Sequence, residues 1–298
     1  MSSSVHTFAG SAVRLPLWAG CLGMLVLGAN GTAIMAALPT MRRDLGLSAT
    51  EVGWAINAYL IVSAACVIAG GKAGDQVGAR RVSIAGLVLF AAASVVIATA
   101  GTPALLLAGR ALQGLAAALA VPGTLAALGE ASAPAQRAGA IGAWAGFLML
   151  GFSLGPLIGG ALTHYAGWRV IFWASGAAML VAAGSLVAAH GAAPAPRAGR
   201  VGRFDWAGFA LLAVCMVALV SALHTLPEAA HAPFSLVGYV ALAGVTGFAL
   251  LGVERRIGDP LIDLGLFSGA LFVRALVAGS IAMGCILTLL LYYNPSYG

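Results

Sequence analysis

Two stretches without a charged residue, Val52 to Ala69 and Val82 to Ala100, flank the interruption Gly70-Gly71-Lys72-Ala73-Gly74-Asp75-Gln76-Val77-Gly78-Ala79-Arg80-Arg81. Each stretch is close to the roughly 20 residues a helix needs to cross a hydrocarbon core. The interruption therefore reads as a short turn at a membrane surface. Its cations, Lys72, Arg80 and Arg81, assign it to the cytoplasmic side, because short cytoplasmic loops collect Lys and Arg. Its glycines permit a tight turn and close backbone approach, and Asp75 offers a carboxylate to a helix N-terminus or a basic partner. The plainer alternative is a positive-inside loop with flexible glycines.

The same alternation runs through the chain. Of 298 residues, 61% are hydrophobic and 8% charged, with a mean hydropathy of +1.00. A soluble domain carries about 25% charged residues, so the composition is that of a polytopic membrane protein. Apolar spans are expected near 16–39, 51–70, 82–101, 103–129, 138–163, 168–189, 205–226, 235–253 and 271–293. With the N-terminus in the cytoplasm, the inner loops hold Arg14, Lys72, Arg80, Arg81, Arg137, Arg197, Arg200, Arg203, Arg255, Arg256 and Arg274. The outer loops hold only Arg42, Arg43 and Arg169, a bias that sets the orientation. Cations scattered in short loops argue against nucleic acid as a partner despite the net charge of +6. Cys21, Cys66, Cys215 and Cys285 lie inside apolar runs with no paired spacing, so neither a disulfide framework nor a metal site is implied. No nucleotide-binding Gly-Lys-Ser/Thr loop or HExxH appears, and no cofactor or enzymatic constellation is expected. The first span has no cleavage pattern and is read as uncleaved.

Three spans carry polar or backbone features that need an explanation. Asn30 sits mid-span, where an amide requires a partner or a water-filled cavity. Arg110 is the only charge well inside an apolar run, and Gln113 and Gly114 share its helical face. It either faces a cavity or snorkels to the outer surface. In the fifth span, Gly151, Gly155 and Gly159 make a flat face, and Pro156 removes a backbone hydrogen bond. Trp18, Trp168, Trp173 and Trp206 near span ends read as interfacial anchors, and Trp144, Phe147 and Met149 as core.

These stretches resemble the motifs of the major facilitator superfamily, in its fourteen-helix drug:proton antiporter branch. Gly71, Asp75, Gly78, Arg80 and Arg81 match the signature loop between the second and third helices, with Ala73 for the usual leucine. Arg110, Gln113 and Gly114 match R-x-x-Q-G of the fourth helix, where the resemblance implies a cavity arginine that assists proton transfer. Gly151, Gly155, Pro156, Gly159 and Gly160 match the antiporter motif G-x-x-x-G-P-x-x-G-G. Thr32, Ala37, Leu38 and Pro39 match the first-helix motif, but Asn30 stands where the motif has aspartate and Met35 where it has asparagine. An amide does not titrate in the relevant range, so this site cannot carry a coupling proton. Weaker matches are Trp54, Asn57 and Tyr59, then Gly167-Trp168-Arg169, with Ser175 and Ala177 replacing a later N-x-P. Phe204 to Gly208 and Pro260 to Phe267 resemble the stretches before the seventh and ninth helices.

The resemblance implies an all-α membrane fold with a six-helix bundle over 1–190, a cytoplasmic linker over 191–204 and two extra linking helices over 205–253. Residues 254–298 would then be a loop and the incomplete first helix of a second bundle, the chain being C-terminally truncated and inactive alone. The implied function is export of lipophilic, often cationic compounds by proton antiport across a bacterial inner membrane, with the lipid bilayer as surroundings. The alternatives are a sugar or small-metabolite carrier of the same superfamily, or a non-transporting half-carrier or assembly protein.

Overall fold

The computed structural model describes residues 11–189, 205–226, 233–256, 265 and 268–292, and its elements are all α-helices. They are α1 (Ser11–Leu45), α2 (Ala49–Val77), α3 (Ala79–Ala98), α4 (Pro103–Ala131), α5 (Pro134–Ala166), α6 (Arg169–Ala188), α7 (Trp206–Thr225), α8 (Pro233–Glu254) and α9 (Ala270–Tyr292). Among the described residues, eight helices, α1 to α8, are long and apolar enough to cross a membrane. Several run well past their apolar cores. α1 has 35 residues and α2 has 29, or about 50 and 44 Å at 1.5 Å per residue. Nothing stops a helix where its apolar run stops, since polar side chains on the extra turns stay solvated while the backbone bonds continue.

That explains a correction at the charged interruption. The expected turn over 70–81 is mostly helix: α2 carries Lys72, Asp75 and Gln76 on its last turns, and only Gly78 lies between α2 and α3. Gly78 has φ +106°, a conformation open to glycine, and its N–H bonds to Gly74 O at 2.9 Å. The helix begins with a capping box in which Ser48 and Glu51 satisfy each other's backbone N–H.

The chain divides into two compact units, Met1–Val201 and Gly202–Gly298. In the second, α7 packs on α8, and Asp205 caps α7 by accepting from Gly208 N at 2.8 Å. The expected linker over 191–204 and most of the stretch over 257–267 lie outside the described residues.

The first unit is built as two three-helix repeats, α1–α3 and α4–α6. Its packing pairs are unchanged when each helix is exchanged for the one three places away: α1·α5 becomes α4·α2, α3·α4 becomes α6·α1, and α3·α6 and α1·α4 map onto themselves. The turns obey the same exchange. Gly78 after α2 and Gly167 after α5 both have positive φ, +106° and +85°. Two residues beyond each comes an arginine. Arg80 donates to Leu186 O (3.0 Å) and Val187 O (2.9 Å) at the C-terminal end of α6. Arg169 donates to Ala100 O (3.0 Å), just past the end of α3, and pairs with Asp44. Each third helix thus starts with the cation that satisfies the last carbonyls of the other, where the helix dipole favours positive charge.

Trp168 departs from its expected role as an interfacial anchor. It is 2% exposed, stacked edge-on against Phe172, under the Arg169 guanidinium at 4.3 Å, and its Nε1 donates to Asp44 Oδ2 at 3.0 Å. Trp18, Trp173 and Trp206 are exposed. Trp144 is buried in the main core and donates to Thr124 Oγ1 at 3.2 Å.

Candidate functional site

α4 enters the bundle with a buried charge. Arg110 is fully buried, so it does not snorkel. Its Nε donates to Ala55 O of α2 (2.8 Å), and its Nη1 donates to Asn30 Oδ1 of α1 (2.9 Å) and Gln113 Oε1 (2.8 Å). The guanidinium carbon lies 4.6 Å from the centre of the Tyr59 ring. The network extends from both amides. Gln113 Nε2 donates to Ser94 Oγ of α3 (2.9 Å), which donates to Phe90 O (2.8 Å). Asn30 Nδ2 donates to Ser175 Oγ of α6 (3.2 Å), which donates to Ile171 O (2.7 Å). One guanidinium therefore ties α1, α2, α3, α4 and α6 together through neutral groups. Burying it costs several kcal/mol unless every N–H finds an acceptor. Nη2 has none among the described residues.

The spacing R-x-x-Q-G now has a physical reading. Arg110 and Gln113 are three residues apart on one face and bond each other, while Gly114 lets α4 rest on the α2 backbone. A Cβ at Gly114 would sit 2.5 Å from Tyr59 O and 3.1 Å from Ser63 N.

The glycine helix meets the first helix in the same manner. A Cβ at Gly159 would lie 2.7 Å from Ala33 Cα, Cβ and O, and one at Gly155 would lie 2.6 Å from Ala29 O. At Gly151 it would come within 2.9 Å of Ala29 N. Gly160 is different, its nearest neighbour being Ala36 Cβ at 4.0 Å. Pro156 lies inside α5 and has no N–H for Phe152 O four residues back. Thr32 of α1 supplies the missing donor: its hydroxyl reaches Phe152 O at 3.0 Å, closer than its own-helix carbonyls Gly28 O (3.3 Å) and Ala29 O (3.5 Å). Thr32 in the first-helix motif thus donates to the carbonyl, Phe152 O, that Pro156 in the fifth-helix motif leaves without its helical donor.

In the stretch matched to the signature loop, which the resemblance implies to be a conformational switch, the residue held by close packing is Gly70. A Cβ there would meet the Ala118 carbonyl carbon at 2.8 Å, whereas one at Gly71 would only touch Pro122 Cβ at 3.8 Å. Asp75 and Arg81 are exposed, and Arg80 is engaged with α6 as described. Sequence reasoning missed Ser94 and treated Ser175 only as a departure from N-x-P. A lone serine mid-helix carries no signal until its partner on another helix is known.

A family profile described as Major Facilitator Superfamily matches residues 20–298. The tetracenomycin C resistance and export protein of Streptomyces glaucescens is 32% identical over 290 residues, 95% of this chain and 52% of that protein. The multidrug efflux pump LfrA of Mycolicibacterium smegmatis is 32% identical over 266 residues, 88% of this chain and 51% of its own length. The methyl viologen resistance protein SmvA of Salmonella typhimurium is 31% identical over 262 residues, 85% and 51% respectively. The chain spans about half the length of these curated relatives. A crystal structure of the peptide transporter POT in complex with sulfate superposes on 61% of this chain and 39% of its own, with TM-score 0.54 and 21% identity, a likeness of fold.

Proposed function

The chain belongs to the Major Facilitator Superfamily, and from that premise we propose that it contributes one bundle of a secondary carrier that exports lipophilic, often cationic compounds. In this reading residues 1–190 are the bundle, 191–204 a cytoplasmic linker, and 205–253 two helices leading to a second bundle that begins within 254–298. The N-terminus is cytoplasmic and the membrane is a bacterial inner membrane. Alternating access would rock this bundle against its counterpart around a site near the midplane.

The observation that carries the proposal is the α1–α5 seam, where Gly151, Gly155 and Gly159 bring two backbones together and Thr32 completes the carbonyl that Pro156 leaves free. This seam lets α5 bend at Pro156 without breaking the bundle, as a helix at the boundary of two moving bodies must. The names of the relatives support export and toxic small molecules as the substrate class. Proton antiport is the proposed drive, with its titrating carboxylate outside the middle of this bundle, since Asn30 occupies the expected position.

A carrier needs both bundles, so the 298-residue chain alone is expected not to transport. Everted vesicles containing it should show no ethidium accumulation driven by a proton gradient. Vesicles that also hold the C-terminal half of the tetracenomycin C exporter are the paired assay. Gradient-driven accumulation by the chain alone would overturn the division of labour proposed here.

A further inference from the structure

The Arg110 guanidinium has five N–H groups, of which the one on Nε and the two on Nη1 find acceptors and the two on Nη2 do not. Every group facing the guanidinium is neutral: Asn30 from α1, Ala55 O and Tyr59 from α2, and Gln113 from α4, with Ser94 of α3 and Ser175 of α6 behind the amides. The carboxylates of the first unit, Asp44, Glu51, Asp75 and Glu130, all lie in the first or last turns of their helices, away from this network. Arg110 is 0% exposed, so bulk water does not solvate it, and its Nη2 has no hydrogen-bond partner among the described residues. A buried guanidinium is stable only with a counter-charge and acceptors for its N–H groups. Both needs converge on one atom.

We propose that Arg110 Nη2 is the ligand of a small monovalent anion, chloride or a carboxylate group, which completes the Asn30–Arg110–Gln113 network and neutralises the core. Asn30 is what creates the site. A carboxylate at position 30 would stand 2.9 Å from Nη1 and carry the counter-charge itself, whereas the amide supplies an acceptor without charge. The guanidinium's remaining fork is then free to hold an exchangeable anion. The site is independent of what a whole carrier exports, and its test reads binding with no transport.

The purified 298-residue chain in detergent is melted in sodium chloride, sodium formate and sodium gluconate at equal ionic strength. Gluconate, whose carboxylate carries a five-carbon polyhydroxy chain ill-suited to a fully buried position, serves as the reference. Chloride or formate should raise Tm saturably, by about 4 °C when present at some thirty times Kd. Formate acting alone would identify a carboxylate-bearing ligand, and chloride acting as well would identify an inorganic anion. Asn30→Asp should melt in gluconate at or above the wild-type temperature and lose the rise in chloride and formate. Equal Tm in all three salts overturns the proposal. So does an Asn30→Asp chain that keeps the anion-dependent rise, or one that melts below wild type in gluconate.

Discussion

Valine has nearly the shape of threonine but no hydroxyl, so Thr32→Val removes the donor to Phe152 O and leaves the packing in place. In the wild-type chain that carbonyl has lost its helical partner to Pro156, and the Thr32 hydroxyl at 3.0 Å is what replaces it. Leaving a buried acceptor unsatisfied costs about 1–3 kcal/mol in soluble proteins, while hydrogen bonds between membrane helices average about 0.6 and reach about 1.7 kcal/mol. An acceptor with no alternative donor belongs near the upper end, so T32V should cost about 1.5 kcal/mol. In a P156A background the N–H of residue 156 is restored and bonds Phe152 O within α5. T32V should then cost no more than about 0.5 kcal/mol. The double-mutant cycle therefore carries a coupling of about 1 kcal/mol, well outside the ~0.3–0.5 kcal/mol within which independent sites add. SDS titration of the chain in mixed micelles, followed by tryptophan fluorescence, measures all four corners. Equal effects of T32V in the two backgrounds would refute the pairing of Thr32 with the proline-freed carbonyl.

Other substitutions test the remaining contacts. Gly159→Ala forces a methyl into Ala33 and should cost about 1–3 kcal/mol by overpacking, while Gly160→Ala, with room to spare, should stay within about 0.5 kcal/mol in the same titration. Arg80→Ala and Arg169→Ala each strip acceptors of a charged donor at opposite ends of the bundle. Each should cost about 1 kcal/mol after allowance for exposure, and the double variant should be additive within about 0.5 kcal/mol. The proposed orientation predicts that R43C in intact cells reacts with a membrane-impermeant maleimide and R81C reacts only after permeabilisation. The opposite labelling pattern would invert the topology.

The spans were legible because period and polarity are local properties: a run such as Val82 to Ala100 has few options other than a helix in lipid. Arg110 was legible for the opposite reason, since one charge in an apolar run must be explained. Helix ends were not, because Lys72 and Asp75 interrupt the hydropathy without interrupting the backbone bonding, so a turn was expected where α2 continues to Val77. Trp168 misled in the same way. Its place near a span end suggested an interfacial anchor, and only the fold brings Asp44 to its indole N–H. Thr32 and Pro156 could be matched to separate motifs, but nothing local in either reveals that residues 120 positions apart, Thr32 and Phe152, share a hydrogen bond. What the sequence withheld is contact across helices, which is the information that turns motifs into devices.

The repeat symmetry sharpens the question of coupling. α1 and α4 occupy equivalent places in the two repeats and pack against each other, so the Asn30–Arg110 bond joins equivalent helices at the centre of the exchange. An aspartate at position 30 would make that junction an ion pair able to take up and release a proton. The amide fixes it in one charge state, and the first unit has no other carboxylate away from a helix end. In the proposed proton-driven carrier the titrating carboxylate then belongs to the other bundle, while this one contributes a buried guanidinium held by neutral side chains. Asn30→Asp in such a carrier would add a second titratable site beside Arg110 rather than restore a lost one. Its pH profile of transport should therefore show a further titration beyond the parent's, and an unchanged profile would mean that the junction does not sense the transport cycle.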